Sequence, residues 1–370
     1  MKNKQKILLL LKKHSECTRI ELSKSLKISQ AAISKLIKSM LQEGYIIEIQ
    51  KQKKSNSGRN SKYLKLNPDY GLVIGIHFDF DKIKVAVGNL GGEIKEEIFL
   101  DVKTTKEIIS KVINLIDDLF FRYSILGIGI GMNGIVNNKE GVSIKSTYYN
   151  WSNVKLKKNL EERYLVPVRV ENGINLLSLY EIGRGVVNKN KNFVLINIAE
   201  GVGISVFYNG EFQTGKYYDM GEIGHIPFDY GSDGLLCSCG NKGCIETFLA
   251  NWRIEKKIKK ITGKEYSYME IIDLSNRKKT LFREVILEMI LPLSHIIIWI
   301  SSLLNFEQII INGKITESNS FFIENLRRKI KMGILNKDKP INIIETSYEK
   351  SKILKGALIL IGKEVLFNKF

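Results

Sequence analysis

The sequence predicts an α/β protein in which a small N-terminal winged helix-turn-helix domain precedes a larger body of two similar lobes. Three observations support this fold class. Positive charge is concentrated at the N-terminus, where short capped helices precede a basic hairpin. Strand-like and helix-like patterns alternate from about residue 71 onward. Within that part, two stretches repeat the same order of strands and turns.

Length and composition exclude several classes of protein. The chain has 370 residues, enough for two or three domains with buried cores. Its hydrophobic fraction of 44% excludes disorder of the whole chain. The 57 Lys and Arg residues exceed the 39 Asp and Glu residues, which gives a net charge of +18. Residues 1–70 carry 16 basic and 5 acidic residues, so this segment is expected to have an anionic partner.

The apolar segments do not have the features of membrane spans or secretory signals. The longest, residues 289–304, contains Pro292 and several polar side chains and falls short of the roughly 20 apolar residues that a span needs. The run at residues 7–11 is not followed by a small-residue cleavage site, and four Cys residues do not form a disulfide framework. We therefore expect a buried helix at 289–304 and a cytoplasmic protein with no membrane partner.

The N-terminal residues have the pattern of three short helices. Residues 4–13 predict the first, and Thr18 with Glu21 has the spacing of a capping box that opens the second. Ser29 is suited to cap the third, in which apolar residues recur at helical spacing up to Gly44. A tight turn between the second and third helices is typical of helix-turn-helix proteins. In that motif the second of the two helices, here the third helix of the domain, enters the major groove of DNA.

A basic hairpin follows these helices. Strands are predicted at residues 45–50 and 63–66, and residues 51–62 between them hold five cations and no acid. We expect Gln30, Ser34 and Lys35 to contact base edges, and the hairpin to contact phosphate, with Arg59 suited to the minor groove. The expected DNA-binding residues are Ser29, Gln30, Ala31, Ser34, Lys35, Lys38, Lys51, Lys53, Lys54, Gly58 and Arg59. The alternative is a solvated, lysine-rich surface, but the order of caps, apolar stripe, turn and wing favours DNA binding.

The body is predicted to contain an internal duplication. Residues 67–71 have a turn-forming sequence that separates it from the basic module. Residues 72–100 and 193–213 each run strand, turn, strand, glycine-containing turn, strand. Two similar lobes with a cleft between them are expected, and ligands usually bind in such clefts.

A cysteine-rich segment is the most specific chemical signal in the sequence. Cys237, Cys239 and Cys244 follow His225, and one imidazole with three thiolates completes a tetrahedral zinc site. Because the protein fills all four coordination positions, we expect a structural zinc ion rather than a catalytic one. The alternative is three reduced thiols in a flexible loop.

Together these motifs resemble the ROK family (repressors, open reading frames and sugar kinases), and in particular its winged-helix repressors, over essentially the whole chain. The motifs are the winged helix, residues 129–134, 149–151, 170–175 and 221–225, and the cysteine loop. The resemblance implies the two-lobed, actin-like fold of ROK sugar kinases. The implied domains are residues 1–67 for DNA binding, 71–188 for the first lobe, completed by a C-terminal helix at 351–370, and 189–350 for the second lobe.

The resemblance also implies a sugar site on the floor of the cleft. By motif match, Glu222 and His225 bind sugar hydroxyls, with the other ring nitrogen of His225 on zinc. Asn133, Asn172 and Glu246 complete the implied site. A pentose such as xylose, a hexose or a glycoside all fit this expectation, and regulation without an effector stays open.

The chain departs from the kinases of this family at the positions that carry catalysis. Gly173 stands where the kinases have an Asp that acts as general base. The first phosphate loop contains Asp79 and Asp81 and the second contains Glu200, and these carboxylates disfavour bound phosphate. We therefore expect that the protein is not an enzyme and that ATP is not its cofactor.

These expectations define a sugar-responsive transcriptional repressor. A homodimer or homotetramer would bind a palindromic operator, and a small sugar would release it by favouring one state of the lobes. One alternative is an active sugar kinase with an accessory DNA-binding domain. Another is an activator or nucleoid-like DNA-binding protein without a sugar response.

Overall fold

The computed structural model of the protein has an N-terminal winged helix followed by two α/β lobes. It describes residues 3–14, 16–51, 61–80, 82–101, 105–184, 186–187, 192–229, 231, 234–304, 306, 308–318, 320–338 and 340–367.

The winged helix forms as its caps and apolar stripe predict. Its elements are α1 (Asn3–His14), α2 (Arg19–Leu26), α3 (Gln30–Gln42), β1 (Ile46–Lys51) and β2 (Ser61–Leu66), with boundaries one or two residues from the predicted ones. The capping box is present, because Thr18 Oγ1 accepts from the Glu21 amide and Glu21 accepts from the Thr18 amide. Ser29 caps α3 by accepting from the Ala32 amide at 3.2 Å.

The first lobe is built on a five-stranded sheet in the order β10-β6-β3-β4-β5, with a smaller sheet of β7, β8 and β9 beside it. Strands β6 and β10 run parallel to β3, and β4 and β5 form antiparallel pairs. Its elements are β3 (Leu72–Phe78), β4 (Lys82–Asn89), β5 (Ile94–Asp101), α4 (Thr105–Arg122), β6 (Ile125–Met132), β7 (Ile135–Asn137), β8 (Val142–Ser146), β9 (Trp151–Val154), α5 (Leu156–Tyr164), β10 (Val168–Asn172) and α6 (Gly173–Gly183).

The second lobe repeats this topology, which confirms the predicted duplication. Its sheet has the order β13-β12-β11-β14-β15, with an antiparallel meander at one side and parallel strands at the other. Its elements are β11 (Phe193–Ile198), β12 (Val202–Tyr208), β13 (Glu211–Phe212), α7 (Glu246–Leu249), α8 (Asn251–Thr262), α9 (Tyr268–Asn276), α10 (Thr280–Glu288), α11 (Ile290–Leu304), β14 (Gln308–Asn312), α12 (Ser320–Gly333) and β15 (Asn342–Glu345).

The C-terminal helix α13 (Lys352–Phe367) returns to the first lobe, as the family resemblance implies. It packs on β3, β6 and α6. Gly129 permits this approach, because a Cβ atom there would lie 2.2 Å from the carbonyl oxygen of Ala357. Near the end of the helix, Val365 and Leu366 join an apolar cluster that also contains Tyr45 and Leu66 of the winged helix. The C-terminal helix therefore contacts both the body and the DNA-binding domain.

Residues 280–304, which comprise α10 and α11, are long and apolar enough to cross a membrane by length and composition. In this structure more than half of this apolar segment is buried inside the protein. Leu293, Ile296, Ile297 and Ile300 pack in the core of the second lobe. This packing agrees with the expected buried helix.

The packing of α3 leads to a stability prediction. Ile37 is fully buried in the winged-helix core, so Ile37→Ala is expected to destabilise this domain by about 2–5 kcal/mol through the lost contacts and the cavity left behind. Hydrogen exchange of the α3 amides measures the change. Lys38→Ala is the matched control, since Lys38 is exposed one position further on. Equal protection in both variants would contradict the packing described here.

Candidate functional site

The predicted zinc ligands lie together in the second lobe. His225 ends a short 3-10 helix, Ile223–His225, and the three cysteines lie on the loop that precedes α7. The side-chain ligand atoms of His225, Cys237, Cys239 and Cys244 all lie within 4.8 Å of one another. His225 Nδ1 is 3.4 Å from Cys237 Sγ, and Cys239 Sγ is 3.7 Å from Cys244 Sγ. A tetrahedron with Zn–S bonds of about 2.3 Å has edges of about 3.8 Å, so this spacing fits one tetrahedral cation.

The chemistry of the thiols also fits a bound cation. Burial raises the pKa of the Cys244 thiol to about 12 and raises the pKa of the Cys237 thiol as well. These thiols are therefore neutral unless a nearby positive charge stabilises their thiolates. A divalent cation supplies that charge, and thiolate is the form that binds it.

Glycine is needed at position 243, where the cysteine loop packs against the backbone of Asp229. Gly243 has a φ of 68°, and a Cβ atom there would lie 1.8 Å from the carbonyl oxygen of Asp229. The Gly243 carbonyl accepts from the Phe228 amide at 2.7 Å. This close backbone contact places Cys244 beside His225.

A cleft of about 530 Å³ separates this part of the second lobe from the first lobe. Glu222 and His225 both line it, and His225 Nε2 is 3.8 Å from Glu222 Oε2. Burial raises the pKa of Glu222, against the opposing effect of His225 beside it. His225 thus presents Nδ1 to the cysteines and Nε2 toward Glu222. The lining residues are Gly134, Ile135, Lys145, Thr147, Ile204, Asp219, Gly221, Glu222, Ile223, His225, Ile226 and Cys239.

The other three expected sugar residues are not among the residues that line this cleft. Asn172 caps α6, with its Oδ1 accepting from the Ile174 amide and its Nδ2 donating to the Gly134 carbonyl. Glu246 is buried, and its Oε2 accepts from the Val202 amide at 3.2 Å. Asn133 is half-buried near Gly173. Their expected contacts with sugar stay predictions.

Glu246 links the second phosphate loop to the cysteine loop. Besides its bond from Val202, its Oε1 accepts from Cys237 Sγ at 3.6 Å and from Ser238 Oγ at 3.4 Å. Val202 begins the strand that follows Glu200 and Gly201. The carboxylate therefore holds these two segments in a fixed relation, a positioning role that the sequence pattern did not indicate.

The first phosphate loop holds a carboxylate that is already paired. Asp79 accepts from Lys84 Nζ, and its Oδ2 lies 3.9 Å from His77 Nδ1. Burial raises the pKa of Asp79, but His77 and Lys84 lower it by more, so that the net shift is downward. The loop thus carries a negative charge at neutral pH. Asp81 lies outside the described residues.

Phe80 of the same loop reaches the second lobe. Its ring centroid lies 5.6 Å from that of Tyr148, and its Cζ lies 3.4 Å from a Cβ atom built on Gly201. In that second loop, Glu200 has a pKa raised chiefly by burial. An aromatic ring and carboxyl groups therefore occupy the region between the two loops.

Gly173 is the first residue of α6, where the kinase general base is expected. A Cβ atom there would lie 3.4 Å from Asn133 Oδ1 and 3.6 Å from Ile353 Cδ1, which are ordinary contact distances. The backbone therefore has room for a side chain, and the glycine is not required by packing. What this position lacks is the carboxylate.

The third helix of the N-terminal domain exposes most of the expected DNA contacts. Ser29, Gln30, Ala31, Ser34, Lys35 and Lys38 are exposed on or next to α3, opposite its buried residues. Lys51 ends β1, and its side chain is outside the description. Lys53, Lys54, Gly58 and Arg59 lie outside the described residues.

Lys145 and Thr147 line the cleft but were not singled out from the sequence. They lie on and just after β8, so they reach the cleft only through the packing of the small sheet beside the second lobe. No local motif marks them. Their place in the cleft depends on the tertiary structure, because the residues that line the cleft come from chain segments far apart in sequence.

A winged helix joined to two duplicated α/β lobes, with a polar cleft and a Cys3His cluster, defines a DNA-binding protein on a sugar-kinase-like body. Residues 73–364 match the model of the ROK family, and residues 2–47 match that of a winged helix-turn-helix DNA-binding domain. The chain belongs to the ROK family.

Relatives of this chain include regulators. It is 27% identical over 350 residues to a xylose repressor of Caldicellulosiruptor bescii, covering 89% of this chain and 87% of that protein. It is 24% identical over 330 residues to the DNA-binding transcriptional dual regulator NagC of Escherichia coli K12, covering 85% and 80%. A crystal structure of a ROK family transcriptional regulator, a homologue of E. coli MLC, has the same fold, with a TM-score of 0.79, 24% identity and coverage of 95% and 92%.

The paired carboxylate of Asp79 leads to a pH-dependent prediction. Because the pKa of Asp79 is lowered in the folded protein, its ionised carboxylate stabilises the fold at pH values above about 3.8, the pKa of an Asp side chain in the unfolded chain. This stabilisation is lost as the pH falls through the pKa that Asp79 has in the folded protein. Asp79→Asn should therefore lower the free energy of unfolding by roughly 2 kcal/mol at pH 7. The difference from wild type should shrink as the pH falls below about 4, as measured by urea unfolding at several pH values.

Asp118→Asn is the matched control for this measurement. Asp118 pairs with Arg122, but its side chain is 54% exposed, and exposed ion pairs contribute little. The buried pair would be contradicted if Asp79→Asn lowered the free energy of unfolding no more than Asp118→Asn does. It would also be contradicted if the loss were independent of pH.

Proposed function

We propose that the protein is a sugar-responsive transcriptional repressor of carbohydrate-utilisation genes. The observation that carries the proposal is the exposed face of α3 on a winged helix joined to a ROK body. Helices of this kind enter the major groove through their N-terminal residues. In this role Gln30, Ser34 and Lys35 contact base edges.

The remaining DNA contacts are proposed to be mainly electrostatic. Their side chains or backbone amides face phosphate and fix the register of α3 on the duplex. They are Ser29, Ala31, Lys38, Lys51, Lys53, Lys54, Gly58 and Arg59, with Arg59 suited to the minor groove.

The proposed effector is a small sugar bound in the cleft. Glu222 and His225 supply an acceptor and a ring nitrogen toward the same space, as vicinal hydroxyl groups require. Asn133, Asn172 and Glu246 are proposed as further sugar-binding residues, on the strength of the motif match. The names of the relatives make xylose and N-acetylglucosamine the first sugars to test.

The proposed metal is one zinc ion held by His225, Cys237, Cys239 and Cys244. Such a closed set of ligands holds structure and leaves no coordination position for substrate. Its effect at the cleft is to fix the ring of His225, so that Nε2 keeps its direction toward Glu222.

The same geometry argues against phosphoryl transfer. Gly173 provides no base, and the ring of Phe80 reaches across from the first phosphate loop to Gly201 of the second. ATP is therefore not proposed as a cofactor. The alternative function, a sugar kinase with an accessory DNA-binding domain, keeps support only from the fold.

We propose that the protein acts in the cytoplasm as a homodimer or homotetramer. A palindromic operator needs two winged helices at a fixed spacing, which a symmetric assembly provides. The proposed domains are residues 1–67, residues 71–188 with 351–370, and residues 189–350. The sugar changes DNA binding only through different affinities for two states of the lobes.

Operator release tests this function. The wild-type protein should protect a discrete site near its own gene and nearby sugar genes, with an affinity that falls steeply with salt concentration. One sugar should weaken this binding at least tenfold. Glu222→Gln should keep operator affinity and lose the response, because the amide donates a hydrogen bond where the carboxylate accepts one. DNase footprinting and fluorescence anisotropy measure both effects.

Glu211→Gln is the control for Glu222→Gln, since Glu211 is exposed on β13 of the same lobe, does not line the cleft and should keep the response. Phosphorylated sugar after incubation with ATP and a sugar panel would overturn the repressor function in favour of the kinase. The absence of any discrete protected site would equally contradict it.

Metal content gives an independent test of the cysteine cluster. The purified protein should contain one zinc ion per chain, and a chelator should lower its Tm because the ion binds the folded state. Cys239→Ser should reduce bound zinc and the Tm, whereas Asn241→Ala, at an exposed position of the same loop, should keep both. Elemental analysis and thermal unfolding measure these changes; wild-type protein without stoichiometric metal would exclude the site.

A further inference from the structure

A second cavity adjoins the cleft of Glu222 and His225. It has a volume of about 390 Å³ and lies against β8 and β9 of the small sheet. Two of its lining residues, Lys145 and Thr147, also line the cleft. The two cavities are therefore neighbours that meet at these two side chains.

The second cavity has the lining of a site for an uncharged polar ligand. Asn150, Ser152 and Asn153 are exposed and supply amide and hydroxyl groups, which both donate and accept hydrogen bonds. Ile144 adds apolar surface, whereas Trp151 is only 9% exposed because its ring packs on Phe78 and Tyr149 in the core of the first lobe. Small-molecule sites combine apolar walls with a few polar groups in this way. Lys145 is the single charged residue among those that line the cavity, so a highly charged anion is not favoured.

We propose that this cavity is a second sugar subsite and that the effector is a disaccharide or a longer glycoside. Its first unit lies at Glu222 and His225, and the next unit lies against the exposed Asn150, Ser152 and Asn153. Lys145 and Thr147 then lie beside the glycosidic bond. This inference rests on the proposed function, because it takes the cleft as the site of the first unit.

Calorimetry with matched sugars tests the subsite. The probes are xylose and its β-1,4-linked disaccharide, and N-acetylglucosamine and its β-1,4-linked disaccharide. One disaccharide should bind about tenfold more tightly than its own monosaccharide, which corresponds to about 1.4 kcal/mol. This is the size expected from one or two additional neutral hydrogen bonds.

Two variants locate the effect. Ser152 is exposed and lines the second cavity but not the cleft, so Ser152→Trp should fill the subsite, abolish the preference for the disaccharide and keep the monosaccharide affinity. Ser152→Ala leaves the cavity open and should keep the preference. The wild-type comparison alone already tests the subsite, so a variant that fails to fold does not remove the test.

The outcomes separate this inference from the proposed function. Equal affinity for each monosaccharide and its disaccharide overturns the subsite, while a sugar that releases the operator still supports the sensor. A disaccharide preference that Ser152→Trp leaves unchanged also overturns the location proposed here. If no sugar binds and none releases the operator, the proposed function fails and the subsite fails with it.

Discussion

A buried ion pair between Lys352 and Glu181 joins the parts of the body. Both side chains are almost fully buried, and Lys352 Nζ lies 2.5 Å from Glu181 Oε1. Lys352 also donates to Asn312 Oδ1 at the end of β14 and to the Ser347 carbonyl. Because a buried charge is costly unless it is paired and hydrogen-bonded, these groups are constrained to stay together. This constraint fixes the point where α13, the first-lobe helix α6 and the second-lobe sheet meet.

From that point α13 extends to the DNA-binding domain. It starts at Lys352, between the lobes, and near its other end Val365 and Leu366 pack in the cluster that includes Tyr45 and Leu66 of the winged helix. The helix therefore contacts both lobes at its first residue and the DNA-binding domain near its last residues.

The sequence was informative where short-range rules govern structure and less so where distant segments meet. The capping box at Thr18, the apolar stripe around Ile37 and the metal-ligand spacing are local patterns, and each has the expected form in the structure. The family motif implies a sugar contact for Asn172, which stays a prediction; in the structure its side-chain oxygen caps α6, as its position directly before a helix also favours. Lys352 and Glu181 are 171 positions apart in the sequence, so no local pattern predicts that they pair.

The two loops that match the phosphate loops of the family meet at an aromatic side chain. Here Phe80 extends from the first loop to Tyr148 and Gly201, while Lys84 neutralises Asp79 from within the same lobe. An apolar ring at the contact between the lobes needs no counter-ion and is stabilised by its own burial. The contact between the two loops is therefore made by an aromatic side chain in the part of the chain that the structure describes.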